Sequence, residues 1–234
     1  MTITPAVRSN SNFASGSSTT SITTTLAANT AGSFVVVCVG WFDPAGTVTC
    51  TVADNNGGGT NAFTAIGSKV RNTTQQYSIQ MFRRWNIAAQ GSTVTYTATF
   101  SGAVDFRDIK AHESTSSNGS FTSDPYDSGG YAQKTGTGNS TALATSSGTP
   151  SENNCMIVTY GAANSGTISA GSGFTLRQTG ANGLGVADLV QTTAAAKQGL
   201  LTTSVSSQWG ITAAAFKDVP AAVSDAGGAL AFFL

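Results

Sequence analysis

His112 is the only histidine of the chain and stands beside Glu113, residue types from which a general base and its orienting acid can be made. On an extended strand, however, neighbouring side chains leave opposite faces, so the two cannot serve one substrate atom and read as a polar pair closing a strand. Two loops are rich in oxygen ligands: Asp54 with the asparagines and glycines after it, and Asp124-Pro125-Tyr126-Asp127. Ca2+ takes about six to eight oxygens from loops of this kind. Neither has the regular Asp-x-Asp-x-Asp-Gly spacing, and Asp and Asn also favour turns by bonding their own backbone. Asp105, Asp108, Glu113, Asp124 and Asp127 are the one concentration of carboxylates from which a glycoside-cleaving pair could be drawn. Aromatic rings that could stack on sugars are Trp41, Trp85, Tyr126 and Tyr131. The two tryptophans end strongly apolar runs and read as core. Tyr126 and Tyr131 lie in a long polar connection and are the expected exposed contact surface. No phosphate-binding glycine loop, Cys-x-x-Cys pair or Gly-x-Ser-x-Gly elbow is present. The reading is therefore non-enzymatic, with no catalytic residue, no metal ligand and no cofactor assigned.

What must position these residues is a chain with few charges. Only 9% of its 234 residues are charged, against roughly 25% in an ordinary soluble domain, and more than a quarter are serine or threonine. Threonine suits a pleated, half-wet surface, because its branched Cβ stiffens the strand while the hydroxyl faces water. With a formal net charge of +0 there is no cationic field to draw phosphate backbones or acidic membranes, so neither nucleic acid nor membrane is an expected partner. The longest apolar runs are too short to cross a bilayer as helices. Three cysteines, an odd number, argue against a disulfide framework, and Cys38 inside a valine run reads as a small core hydrophobe. The opening residues MTITPAVRSNSNFASGSS contain neither a basic nor an apolar stretch, so no secretory signal is read there.

The order of elements repeats. Phe34 to Thr49, FVVVCVGWFDPAGTVT, returns as CMIVTYGAANSGTIS from Cys155 to Ser169, and Ala88-Ala89-Gln90-Gly91 before a β-rich run is echoed by Ala196-Lys197-Gln198-Gly199. Self-similarity at a long period means one all-β plan used twice. The expected fold is an antiparallel β-sandwich of about fourteen strands in two stacked sheets, with jelly-roll or Greek-key connections and essentially no helix. Its core is expected around Val35, Val37, Val39, Ile79, Met81, Tyr96, Phe100, Ile157, Val158 and Phe216, with Phe34 to Phe42 superposing on Cys155 to Ala163. The expected organisation is an N-terminal arm (1–18), a first β half (19–116), a connecting loop (117–138), a second β half (139–219) and an apolar tail (220–234).

The strand FVVVCVGWF, the turn Asp54-Asn55-Asn56-Gly57, the step Asn86-Ile87-Ala88-Ala89-Gln90-Gly91 and the closing strand Ile109-Lys110-Ala111-His112-Glu113 together resemble a loose family of repetitive β-sandwich proteins of tailed-phage virions and bacterial surfaces. The resemblance covers about residues 20 to 216. It departs after Glu113, where Ser114-Thr115-Ser116 replaces the family's aromatic-Ser-Gly. It implies a structural component with no catalytic residue to carry over: a capsid decoration protein, with a tail or fibre subunit as alternative; a carbohydrate-binding sandwich, which would need convergent loop aromatics, is a separate alternative reading. Its location would be a virion assembled in the host cytoplasm. Its partners would be itself, as a homo-oligomer and first of all a trimer, and other virion proteins such as a major capsid protein, with glycans as further ligands. The tail ends in bulky apolar residues, and Leu230, Phe232, Phe233 and Leu234 are expected at a subunit contact, with the 1–18 arm along another subunit.

Overall fold

A computed structural model describes residues 3–180 and 183–220, and the tail residues Leu230, Phe232, Phe233 and Leu234 lie outside them. The described residues form fifteen strands, one short 3-10 turn at 56–58 and no α-helix. The first half holds β1 (Ile3–Ala14), β2 (Thr19–Leu26), β3 (Phe34–Phe42), β4 (Cys50–Asp54), β5 (Asn61–Ala62), β6 (Thr64–Asn72), β7 (Tyr77–Trp85), β8 (Val94–Val104) and β9 (Arg107–Ser116). The second holds β10 (Lys134–Ala144), β11 (Cys155–Ala163), β12 (Ile168–Ala170), β13 (Thr175–Gly180), β14 (Leu184–Gln191) and β15 (Leu200–Phe216).

All pairings are antiparallel, in three sheets: β1-β9-β3-β7-β6, the smaller β2-β8-β4-β5, and β10-β15-β11-β14-β13 with β12 added to β15. β3 is nearly all apolar because both of its faces are covered. Val35, Val37, Val39 and Trp41 meet the small sheet, whose β8 sends in Val94, Tyr96, Ala98 and Phe100 at period two. Phe34, Val36 and Cys38 point the other way, with Ile79 and Met81, onto Met156, Val158, Tyr160 and Phe216 of the second half. The far side of the second half closes over a third cluster around Ile157, Ile168, Leu201, Trp209 and Ile211. Each residue expected in the core is buried, but they divide among three apolar layers, where a pair of stacked sheets would have one.

The repeat is visible in the topology. The order β1-β9-β3-β7-β6 is matched by β10-β15-β11-β14-β13, each with the nearly all-apolar strand in the middle. In the first half the chain breaks between β1 and β2 and between β8 and β9. In the second half the corresponding strands run on unbroken as β10 and β15, the 201–203 segment of β15 pairing with β12 and its 209–216 segment with β11. The residue matching expected from sequence is corrected by one position. Aligning Phe34 with Cys155 sets Val35 on Met156, yet Val35 faces its own small sheet whereas Met156 faces the other half. A one-residue slip exchanges the faces of a strand, so the halves superpose only with that slip removed.

Two boundaries are also corrected. Residues 3–14 form a strand of the chain's own sheet: β1 pairs with β9 from Ile3↔Ser116 to Ala14↔Arg107, buries Ile3 in the layer between the halves, and sends the amides of Asn10 and Asn12 to the carbonyls of Thr25 and Thr23. Without it the outer edge of β9 would be unpaired. The second half begins at Lys134, not at residue 139, because β10 pairs with β15 from Lys134↔Ala213 onward.

Candidate functional site

The structure separates residues that lie close together in the sequence. Glu113 turns into the first half, where its carboxylate accepts hydrogen bonds from Arg8 (2.7 Å), the backbone N–H of Thr30 and the hydroxyl of Ser33 (2.6 Å). His112 leaves the opposite face, between the halves, where burial lowers its pKa to about 4 against the opposing pull of Asp188. Asp54 is held by Arg84 (2.8 Å), the backbone N–H of Asn56 and the amide of Asn61. Asp124 is gripped by the Arg83 guanidinium through both oxygens. Asp108 is ion-paired with buried Lys110 at 3.0 Å and accepts the Tyr160 hydroxyl at 3.0 Å, and burial raises its pKa. Of the five clustered carboxylates of the sequence, Asp108, Glu113, Asp124 and Asp127 thus belong to separate structural contacts, and Asp105 Oδ1 is buried without a hydrogen-bond partner. Among the described residues, no group of three or more His, Cys, Asp or Glu is placed to hold a metal.

Tyr131 corrects the expectation of an exposed aromatic. The Asp127 carboxylate accepts the N–H groups of Gly130, Tyr131 and Ser151, which folds the connection back and seats the Tyr131 ring, fully buried, in the third apolar layer. Those bonds hold the Asp127 pKa below the usual carboxylate range against its partial burial. Tyr126 is half-buried. Arg83 lies 4.4 Å above its ring, and its hydroxyl accepts the N–H of Gln133 at 2.9 Å. Trp41 is core, as its apolar strand implied, and Trp85 is partly buried against the layer between the halves.

One concavity does bring aromatic rings together. At one end of the layer between the halves, Phe13 ends β1, Phe42 ends β3, Tyr77 begins β7 and Phe106 sits in the turn from β8 to β9; Ala163, Asn164 and Leu184 approach from the second half, and together with Gln75 they enclose about 290 Å3. Local bonds set these ends. The Phe42 N–H reaches the Asp105 carbonyl (3.1 Å), the Asp43 N–H reaches that of Gln76 (2.7 Å), and the Asn72 side chain accepts the N–H groups of Thr74 and Gln75. Phe106 has φ +47° and is 44% exposed, with its ring edge-on to Phe42 at 6.2 Å. Gln75 Oε1 and the Tyr77 hydroxyl are buried without a hydrogen-bond partner, and burial raises the Tyr77 pKa well above its ordinary value. No lysine, arginine, histidine or carboxylate lines the cleft. Sequence reasoning passed over these residues because each is a single aromatic at a strand end, far from the others along the chain.

No family model matches the chain, and no curated protein matches it. Among solved structures, a tryptophan-to-tyrosine variant of oxalate decarboxylase from Bacillus subtilis is 7% identical with a TM-score of 0.19, covering 93% of this chain and 77% of that one. The Bacillus subtilis enzyme at pH 4.6 is likewise 7% identical with a TM-score of 0.18, covering 93% and 76%. Likeness at that level relates neither fold nor function.

Proposed function

We propose that this chain is a non-enzymatic structural protein of a virion, decorating a phage capsid. The observation that carries the reading is where its reactive side chains sit. Seven ion pairs tie Arg8, Lys69, Arg83, Arg84, Lys110, Arg177 and Lys217 to carboxylates, and five of those seven carboxylates are essentially buried. Cys38, Cys50 and Cys155 are buried free thiols, with pKa values pushed up to about 12 for Cys50 and about 11 for Cys155. The one histidine is buried and neutral. Charge and nucleophilicity are spent on shape, and the exterior strands are left to Thr, Ser, Asn and Gly, as in the outer strands β2 and β10. That is what a shell component present in many copies requires, and the resemblance of the strand and turn motifs to virion sandwiches supports it. Self-association and attachment to a major capsid protein follow from the same reading.

The test is immunogold electron microscopy of washed particles from the source. Regularly spaced label over the shell is expected. Label confined to the tail would overturn decoration in favour of a tail or fibre subunit, and absence of the protein from washed particles would overturn the virion reading altogether.

A further inference from the structure

We propose that Asn118-Gly119 is a site of spontaneous deamidation, and that its conversion unpins residues 217–220 from the connection between the halves, wherever the protein resides. In this chemistry the Gly119 backbone nitrogen attacks the Asn118 side-chain carbonyl carbon. A C–N bond forms, the bond to the side-chain nitrogen breaks, and that nitrogen leaves as ammonia with the proton lost by the backbone. Water then opens the cyclic imide to aspartate or isoaspartate. The net change is an amide and water giving a carboxylic acid and ammonia, with nothing oxidised or reduced. Glycine favours the attack, because without a side chain its backbone reaches conformations closed to other residues.

The chain contains three Asn-Gly pairs, of which Asn182-Gly183 begins outside the described residues. The other two stand differently. Asn56 is buried, its amide donates to the Ala88 carbonyl at 2.9 Å, and the Gly57 N–H is already taken by Gln90 Oε1 at 2.7 Å, so target and nucleophile are both held. Gly119 closes a turn that begins at Ser116; it is exposed at φ +129°, with no atom within 4 Å of where a Cβ would stand. That turn has room to bring the two groups together.

The consequence follows from what Asn118 holds. Its amide donates to the Val219 carbonyl at 2.7 Å and to the Asp218 carboxylate at 3.2 Å, while its Oδ1 is buried without a partner. These two bonds, the Lys217 N–H on the Pro125 carbonyl at 2.7 Å and the loose Lys217–Glu152 pair at 3.7 Å seat the segment after β15 against residues 120–125. Deamidation replaces the donor by a second acceptor. The new carboxylate faces the Asp218 carboxylate and the Val219 carbonyl, and its other oxygen stays buried with no donor, so like charge and unpaired acceptors both oppose the seated arrangement.

The experiment is ageing of the full chain at mildly alkaline pH, followed by peptide mapping with isoaspartate detection and by limited trypsin digestion. Asn118 is expected to convert at least about tenfold faster than Asn56, whose site must open locally before it can react. Cleavage after Lys217 should quicken about tenfold in step with conversion, and equally in Asn118→Asp, with unchanged circular dichroism. The aged protein is folded before it is modified, so it decides the matter if Asn118→Asp does not fold. Conversion no faster than at Asn56 would overturn the site, and cleavage after Lys217 that conversion leaves unchanged would overturn the release.

Discussion

His112 stays uncharged in the folded protein across the whole interval in which a free histidine titrates, because burial holds its pKa near 4 against an ordinary value of about 6.5. Between those values the unfolded chain binds the extra proton, so stability falls as pH drops through the interval, by about 3 kcal/mol when complete. Asp108 acts in the opposite sense, since its raised pKa makes the folded state the better proton acceptor in acid, whereas the lowered pKa values of Asp43 and Asp127 remove stability as the pH falls below the usual carboxylate range. The histidine contribution is therefore read as a difference. Urea unfolding at pH 7 and pH 4.5 should show wild type losing more stability than His112→Gln, and equal losses would refute the assignment. Packing gives a second expectation. Ile79 in the layer between the halves and Ile157 in the third layer are essentially fully buried, so truncation of either to alanine should cost about 2–5 kcal/mol in denaturant melts. Gly40 is more sensitive than its size indicates, because a methyl there would lie 2.6 Å from the Tyr160 hydroxyl. Gly40→Ala should destabilise through the contact between the halves, whereas Gly59→Ala, where a methyl meets open space, should leave the melting temperature nearly unchanged.

Among the elements, those with unbroken periodicity were legible in the sequence. The apolar run of β3 and the alternation of β8 declare a doubly covered and a singly covered strand from residue types alone. β6 and β10 were only half legible, for identifiable reasons. In β6 the register shifts between Ile66 and Val70 around Gly67 at φ +57°, which breaks the alternation, and Lys69 and Arg71 read as loop residues although they reach back to Asp43 and the carbonyls of its turn. In β10, Gly136 and Gly138 look like turn residues, yet Gly138 lies so close to the Trp209 ring that a Cβ would stand 2.5 Å from it. Close packing and chain reversal use the same residue. β1 carries no strong period because only Ile3 is buried among its residues, and its partner β9 lies more than ninety positions away. Deleting residues 1–14 should expose the β9 edge and lower the melting temperature with new aggregation on size-exclusion chromatography. An unchanged melt with loss of oligomers alone would restore the arm reading. The aromatic cleft was illegible for the same reason as β1, since nothing local links Phe13, Phe42 and Phe106.

For the whole molecule the decisive surface is the layer between the halves, where sheet faces that are apolar in both are joined with buried ions and amides. Asn72 donates to the Trp209 carbonyl at 2.8 Å, and Gln133 reaches from the connection to Ser68 and Thr212. Neither half can leave the other without exposing Phe34, Val36, Met156 and Val158 to water. Calorimetry of the full chain should therefore give one cooperative transition, and residues 134–220 expressed alone should be insoluble or molten; two separated transitions would show the halves to be independent domains. The connection between Ser116 and Lys134 gives this surface a further property. It joins two matching faces within one chain and is itself packed between them through Phe121, Asp124 and Gln133. Their association is thus first order and indifferent to dilution, so the paired body persists at copy numbers where two separate chains with the same faces would drift apart.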